Sequence, residues 1–355
     1  MSYKILTINP GSTSTKIAVF DDETELFTAT LRHSSEELEQ FPTIASQFQY
    51  RKDLISKELK AAGFDLHSFH TIVGRGGLVK PIESGIYEVT TALAHDLEHP
   101  VMGEHASNLG GLIARDLAQE IPGAKAYIAD PVVVDELAPI ARISGHPAFE
   151  RVSIFHALNQ KMIGRTYARE NNRKYEELNL IIAHLGGGIS VGAHRQGKVI
   201  DVNNALDGDG PFSPERSGGV PAGALLETCF SGKSKNDVRK MLKGNGGVVA
   251  YLNTNDIREV AEKSQYDPQY ALILQAMCYQ VAKEIGAMAA VLSGQVDAIL
   301  LTGGIAYSEL VTAYITEKVK FIAPVKIYPG EDEMRALAMN GLMVLKGEIT
   351  PKEYC

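Results

Sequence analysis

The chain is predicted to be an α/β protein built as a duplicated nucleotide-binding fold, on the strength of three phrases. The first, Ile5 to Phe20, is two apolar runs around the turn Asn9-Pro10-Gly11-Ser12-Thr13-Ser14-Thr15-Lys16. The second, Leu180 to Ala193, has the same grammar around Gly186-Gly187-Gly188, and Lys198 to Val202 continues it as a third strand. The third, Ala298 to Ile305, ends a buried strand in Gly303-Gly304. A strand, a tight Gly turn and a second strand occur at the start of the chain and again halfway along it, and 355 residues exceed the size at which one core usually keeps growing. Two domains are therefore expected.

The first turn carries hydroxyls and backbone N–H groups, which suit a phosphate. It has neither Walker nor dinucleotide spacing, and a strand rather than a helix comes after it. Leu26 to Leu31 is a third strand, and Ser34-Ser35-Glu36-Glu37-Leu38 opens a helical region in capping-box style that runs to Leu59 with a break at Pro42. Phe69 to Gly77 is a short buried strand that delivers Arg75 into a glycine turn. A guanidinium at the carboxyl end of a strand, beside glycines that let a ligand approach the backbone, suits bidentate recognition of carboxylate or phosphate.

Pro81 to Thr90 reads as irregular or extended, with a helix from about Thr91 and another beginning around His105 to Ala114, whose Gly110 and Gly111 permit close packing. Ala126 to Pro131 is a strand ending in Asp130, a position where α/β enzymes place a metal ligand or base and where an Asp before Pro also starts turns. His156 precedes an amphipathic helix over Ala157 to Arg169 and, taken alone, reads equally as a cap. The crossover between domains is expected near this point.

Asp207 to Pro221 is a long irregular loop containing Arg216, and loops of this length tend to be functional. Asp256 is an N-cap able to serve a helix or a ligand hydroxyl. A long helix spans Gln269 to Leu292, a final strand Phe321 to Tyr328, and a last helix opens at Gly330-Glu331-Asp332-Glu333, where acids favour the macrodipole.

Composition narrows the function. A net charge of −8 argues against nucleic-acid or membrane-surface partners that need a basic footprint. Cys229, Cys278 and Cys355 have no CxxC pairing and are odd in number, so neither a zinc site nor a disulfide framework is indicated and a reducing cytoplasm is the expected home. No apolar run is long enough to span a bilayer.

In order along the chain, the turn at Asn9 to Lys16, Arg75-Gly76-Gly77, His105 to Asn108, Asp130, Phe155-His156, His184-Leu185-Gly186-Gly187-Gly188, Arg216-Ser217-Gly218, Asn255-Asp256-Ile257-Arg258, Thr302-Gly303-Gly304-Ile305 and Glu333 together resemble the acetate kinase family of carboxylate kinases, and more closely its butyrate kinase branch. The resemblance implies two actin-like ATPase (ribonuclease H-like) domains, as in sugar kinases and Hsp70, with a central nucleotide cleft. The N-terminal domain would cover 1–152 and be completed by a C-terminal helix, 334–355. The other, 153–333, would bind nucleotide and assemble a homodimer or larger oligomer.

The implied activity is reversible phosphorylation of a short-chain carboxylate by ATP, giving ADP and an acyl phosphate. Acetate or propionate kinases, a sugar kinase and an actin- or Hsp70-like switch are the alternatives. By resemblance, Arg75, Arg216, His156 and Asp130 are catalytic, and Asp130 and Glu333 hold Mg²⁺. Gly77, His105 and Phe155 line the acyl site. Asn9, Ser12, Ser14, Lys16, His184, Gly186, Gly187, Gly188, Asp256, Ile257, Arg258, Gly303, Gly304 and Ile305 bind nucleotide. Acetate kinases carry Val at the position of Gly77, so its missing side chain is expected to make room for a four-carbon acid.

Overall fold

A computed structural model describes residues 2–99, 102–206 and 208–355. Its contacts divide the chain into two compact units, Met1–Val134 with Asp332–Cys355, and Asp135–Glu331. Among the described residues no helix is long and apolar enough to cross a membrane.

The first unit holds β1 (Lys4–Pro10), β2 (Ser14–Asp21), β3 (Thr24–Arg32), β4 (Thr71–Arg75), β5 (Ile86–Glu88) and β6 (Lys125–Ala129), in the sheet order β3-β2-β1-β4-β6-β5. β1, β2 and β3 form an antiparallel meander, with Asn9 opposite Lys16, and β4 and β6 continue from β1 in parallel. Ile5, Leu6, Ile8, Ile17, Val19 and Phe20 are fully buried because helices cover both faces of this sheet, which is why its central strands read as continuous apolar runs.

The second unit holds β7 (Asn179–Leu185), β8 (Ile189–Arg195), β9 (Lys198–Val202), β10 (Ala298–Gly303) and β11 (Val325–Pro329), in the order β11-β10-β7-β8-β9. Its β7-β8-β9 meander and parallel β10 and β11 repeat the plan of β1-β2-β3, β4 and β6. The expected duplication is present in the topology. β5, an antiparallel strand on β6, is the addition peculiar to the first sheet.

Close helix approach fixes the ends of the central strands. Helix Asn108–Gln119 meets β4 backbone to backbone, because a Cβ on Gly74 would collide with Gly110 and one on Gly110 with Arg75. That contact sets the height at which Arg75 leaves the sheet. Helix Glu333–Leu345 packs on β1 and β4, with Gly341 against Val73 and Thr71, and its N-cap Asp332 accepts from the Arg335 N–H.

Several expectations shift. The stretch around Pro81 to Thr90 contains β5, and the helix expected from His105 begins at Asn108, His105 closing the preceding turn through its carbonyl. The last strand is Val325–Pro329 rather than 321–328, and Phe321 is exposed ahead of it. The helical region after Ser34 splits into Ser35–Leu38, the short 3-10 turn Ala45–Gln47 and Phe48–Ala61, with Pro42 in the gap. Residues 135–152 fall in the second unit, where the sequence places them in the first. Ala138 donates to the Ile200 carbonyl (2.9 Å) and Arg151 pairs with Asp201 (2.9 Å), which ties the segment to β9.

Candidate active site

In the first unit, the β1–β2 turn closes with a Gly11 N–H to Ser14 carbonyl bond of 2.7 Å. The fully buried Arg51, on helix Phe48–Ala61, reaches under it. Its guanidinium donates to the carbonyls of Gly11 (2.8 Å), Ser12 (3.2 Å) and Ser14 (3.2 Å), to Thr15 Oγ1 and to Gln47 Oε1. Beside it, burial and the Arg51 charge push the His33 imidazole down to about 4, and its Nε2 lies 2.9 Å from Thr15 Oγ1. With their carbonyls drawn inward, Gly11 to Ser14 form a stiff tip on which Ser12 is exposed and Ser14 half-buried.

At the end of β1 stands an ion cluster. Glu333 Oε2 accepts from Asn9 Nδ2 (2.5 Å) and Arg75 Nη1 (2.8 Å), and Arg75 Nη1 also reaches Asn9 Oδ1 (3.3 Å). Arg75 and Glu333 are partly exposed, with side chains 26% and 18% accessible. Two residues 324 positions apart, Asn9 and Glu333, thus hold the Arg75 guanidinium in place at the carboxyl end of a strand.

In the second unit, His184 leaves the end of β7 and stacks on His156, with ring centroids 3.8 Å apart and planes 10° from parallel. His184 Nδ1 lies 2.8 Å from Asn159 Oδ1 and its Nε2 3.3 Å from Glu331 Oε2, so both ring nitrogens face oxygens. His156 Nδ1 lies 2.9 Å from Ser190 Oγ. The glycine turn after His184 closes through a Gly186 N–H to Gly188 carbonyl bond of 3.1 Å, and Ser213 Oγ donates to the Gly187 carbonyl at 2.6 Å. A Cβ on Gly188 would collide with the Arg216 guanidinium, whose Nη1 donates to the Ala205 carbonyl; only glycine lets the arginine pass there.

Beside this turn opens a cavity of about 750 Å³ lined by Gly186, Gly187, Pro214, Glu215, Asn255, Asp256, Ile257, Arg258, Gly304, Ile305, Tyr307, Ser308 and Glu331. It is large enough for a nucleoside phosphate. Asp256 caps helix Ile257–Lys263 by accepting from the Arg258 N–H (2.9 Å), while Arg258 Nη2 pairs with Asp256 at 3.2 Å on the exposed surface.

Comparison with known proteins gives the family. Residues 151–337 match the model of the Acetokinase family. The chain is 58% identical over 354 residues to Butyrate kinase 1 of Clostridium acetobutylicum, covering 99% of each, and 56% identical over 358 residues to Butyrate kinase 2 of the same organism, covering 100% of each. The chain belongs to the acetokinase family, in its butyrate kinase branch. Among solved structures, the acetate kinase of Porphyromonas gingivalis superposes with a TM-score of 0.80 at 18% identity, over 97% of this chain and 100% of that one. A ROK family transcriptional regulator superposes at 0.53 and 12% identity, over 97% of this chain and 80% of that one. The duplicated actin-like fold and the family resemblance are both borne out.

For this acetokinase family member, the structure gathers seven of the residues expected at nucleotide around one cavity: Gly186, Gly187, Asp256, Ile257, Arg258, Gly304 and Ile305. Gly303 stands behind it. Its φ of +90° and close approach to Leu185 make it the pivot where β10 meets the end of β7. Lys16 is exposed on β2, Phe155 is buried, and His105 is exposed with Nδ1 bonded to Ser107 Oγ at 2.9 Å.

Two expectations need correction or refinement. No room lies at Gly77: a Cβ there would collide with Asn108, whose Oδ1 accepts the Leu78 N–H at 2.8 Å, so the space of the missing side chain is already filled. Asp130 is buried in a left-handed conformation (φ +38°), and its Oδ1 accepts from Ser84 Oγ (2.6 Å) and the Gly85 N–H (2.8 Å). It organises the 84–85 turn whatever else it does.

Reasoning from sequence did not find Arg51, Asn159, Ser190, Glu215, Tyr307, Ser308 or Glu331. Asn159 lies one helical turn after His156 and Ser190 two residues after the glycine turn, and those spacings were the available signals. Arg51 had none.

Proposed function

We propose that this protein phosphorylates butyrate with ATP, reversibly, giving butyryl phosphate and ADP by direct in-line transfer. The single observation that carries this reading is identity of 52–58% over essentially the whole chain to relatives named butyrate kinase or probable butyrate kinase. A butyrate oxygen attacks the γ-phosphorus as the bond to the β,γ-bridging oxygen breaks, and the electron pair leaves with ADP. The carboxylate is already ionised at neutral pH, so no general base is required. What remains for the protein is positioning and charge neutralisation.

In the second unit, the cavity beside Gly186 and Gly187 receives adenosine between Asp256, Ile257 and Arg258 on one side and Gly304 and Ile305 on the other. Gly188 and Gly303 shape the backbone around it. His184 and His156 give hydrogen bonds to phosphoryl oxygens, and Arg216 neutralises them. In the first unit, Arg75, steadied by Glu333 and Asn9, clamps the anion, and Ser12, Ser14 and Lys16 orient phosphate oxygens. His105 and Phe155 contribute to the acyl site, with Gly77 bounding it.

Mg²⁺ supplies charge neutralisation on the phosphates when bound. Among the described residues no group of three or more His, Cys, Asp or Glu side chains could hold a metal. Glu333 and Asp130 fit an ion bound chiefly by phosphate and water, which needs only one or two carboxylates. On this reading the first unit, Met1–Val134 with Asp332–Cys355, serves the anion, while Asp135–Glu331 serves the nucleotide and assembly into a homo-oligomer. The free thiols Cys229, Cys278 and Cys355 suit a reducing cytoplasm.

The test is acyl-hydroxamate formation with Mg·ATP on acetate, propionate, butyrate, isobutyrate and isovalerate, compared as kcat/KM. Butyrate or a branched four- or five-carbon acid should lead. Leadership by acetate would overturn the substrate assignment, and no turnover on any acid would overturn the reaction.

A further inference from the structure

Behind His156 lies a line of buried hydrogen bonds. His156 Nδ1 meets Ser190 Oγ at 2.9 Å; Gln160 Nε2 meets Ser190 Oγ at 2.8 Å and the Ser190 carbonyl at 3.1 Å; Gln160 Oε1 meets His194 Nε2 at 2.8 Å; His194 Nδ1 meets Tyr175 Oη at 2.5 Å. Ser190, Gln160 and His194 are wholly buried and Tyr175 nearly so. Periodicity explains the placement. Ser190 and His194 are i and i+4 on β8, hence on one face, and His156 and Gln160 are one turn apart at the start of helix Ala157–Glu170. Gly192 lies between Ser190 and His194, where a Cβ would stand 2.7 Å from Gln160 Oε1, so its absence makes room for the amide.

One fixed point sets the direction of the bonds from Gln160 to Tyr175. A backbone carbonyl only accepts, so the Gln160 atom beside the Ser190 carbonyl is its NH₂, and the atom facing His194 is its carbonyl oxygen. That oxygen also only accepts, so His194 Nε2 carries the proton. Burial, aided by the nearby Lys161 charge, holds His194 well below its usual range and hence neutral. Its Nδ1 is therefore a lone pair that takes the Tyr175 hydroxyl proton. On the other side Ser190 Oγ accepts from Gln160 and still has its own proton to give to His156 Nδ1, 2.9 Å away.

We propose that Gln160, Ser190 and His194 are positioning residues that lock His156 as a neutral imidazole with its N–H on Nε2, so that it gives a hydrogen bond rather than a proton to a phosphoryl oxygen. The proposal rests on the reading of His156 as a phosphoryl ligand. In-line transfer to a carboxylate needs no acid, so a donor that keeps its proton fits the chemistry.

Selective ¹⁵N-histidine labelling of the full-length protein tests this, using long-range proton–nitrogen correlation with His156 assigned by the resonance lost in His156→Gln. A neutral, Nε2-protonated His156 is expected between about pH 6 and pH 8. An Nδ1-protonated or doubly protonated ring across that range overturns the lock, and this measurement needs no core variant. In Ser190→Ala and Gln160→Met the signal should become a tautomer mixture and kcat should fall roughly 10- to 100-fold with KM for ATP and butyrate little changed. An unchanged tautomer with unchanged kcat overturns it too. The two failures separate. If His156→Ala keeps the full rate, the phosphoryl-ligand reading falls; if that variant is slow but the wild-type ring carries its proton on Nδ1, the reading stands and the lock falls.

Discussion

The two glycine-bearing turns occupy the same place in sheets of the same plan, yet they are held in opposite ways. The Gly11 to Ser14 turn has its carbonyls pulled down by a buried arginine from a helix nearly 40 residues on, Arg51 donating to Gly11, Ser12 and Ser14. The Gly186 to Gly188 turn is closed by its own backbone and by Ser213, and uses the absence of side chains to let Arg216 pass. The groups gathered near each turn also differ: an Asn9–Arg75–Glu333 ion cluster in the first unit, stacked imidazoles and a 750 Å³ cavity in the second. Duplication supplies a scaffold that puts strand ends and turns together. The residues placed on it decide whether a copy presents cations or space.

Breaking the ion cluster should give the largest effect. Arg75→Ala is expected to lower kcat for butyryl phosphate formation about 1,000-fold while leaving the thermal midpoint nearly unchanged, because the guanidinium is partly exposed and its proposed role is to meet developing charge. Calorimetry and hydroxamate kinetics on one preparation check both halves of that statement.

The second turn is sharpened by adding a methyl group. Gly188→Ala would push against the Arg216 guanidinium, and displacing the cation proposed to neutralise the phosphoryl group is expected to reduce kcat about 100-fold. Gly223→Ala, in helix Ala222–Cys229 and with nothing within 4 Å of its Cβ, should remain within a few-fold of wild type in the same assay and serves as the control.

The first turn should answer in stability. Arg51→Met takes the guanidinium from the Gly11 and Ser12 carbonyls and from Gln47 Oε1, and leaves the Ser14 carbonyl to the Gly11 N–H and the Thr15 hydroxyl to His33; a loss of about 3 kcal/mol is expected in urea unfolding, and Arg51→Lys should recover only part because an ammonium cannot span the same acceptors.

The smallest effect concerns Glu284, partly buried near Asp201 and Asp209, where desolvation and then those two charges push its carboxyl up to about 7 against Arg151 and Lys283. A raised carboxyl favours the folded state while it is protonated, so that contribution is present below about pH 4.5 and is lost as pH rises through about 7. Glu284→Gln should therefore stabilise the protein by about 1–2 kcal/mol at pH 8 and by much less at pH 5, as read from melting curves at the two values.

Much of the fold was legible because its signals are local. Apolar β-branched runs, Asp256 and Asp332 at helix starts, and Gly110 beneath β4 each act within a few residues or through one face of an element. The lining of the cavity beside Gly186 was largely legible for the same reason, since it is made of turns at the ends of strands. The hidden part depends on side chains meeting across long separations. Glu333 looks like a helix-start acid until it is seen to pair with Arg75, 258 residues away. Gly77 looks like a vacancy until Asn108 is seen to fill it. Gln160, Ser190 and His194 carry no motif, and only the facing of β8 and a helix makes them one hydrogen-bonded line.

The division of work between the two turns is tested most directly by measuring ADP affinity and turnover together in Arg75→Ala. Kd for ADP should stay within about threefold of wild type while kcat falls about 1,000-fold, since the proposed adenosine site belongs to the second unit. A Kd that weakens in step with kcat would contradict that division.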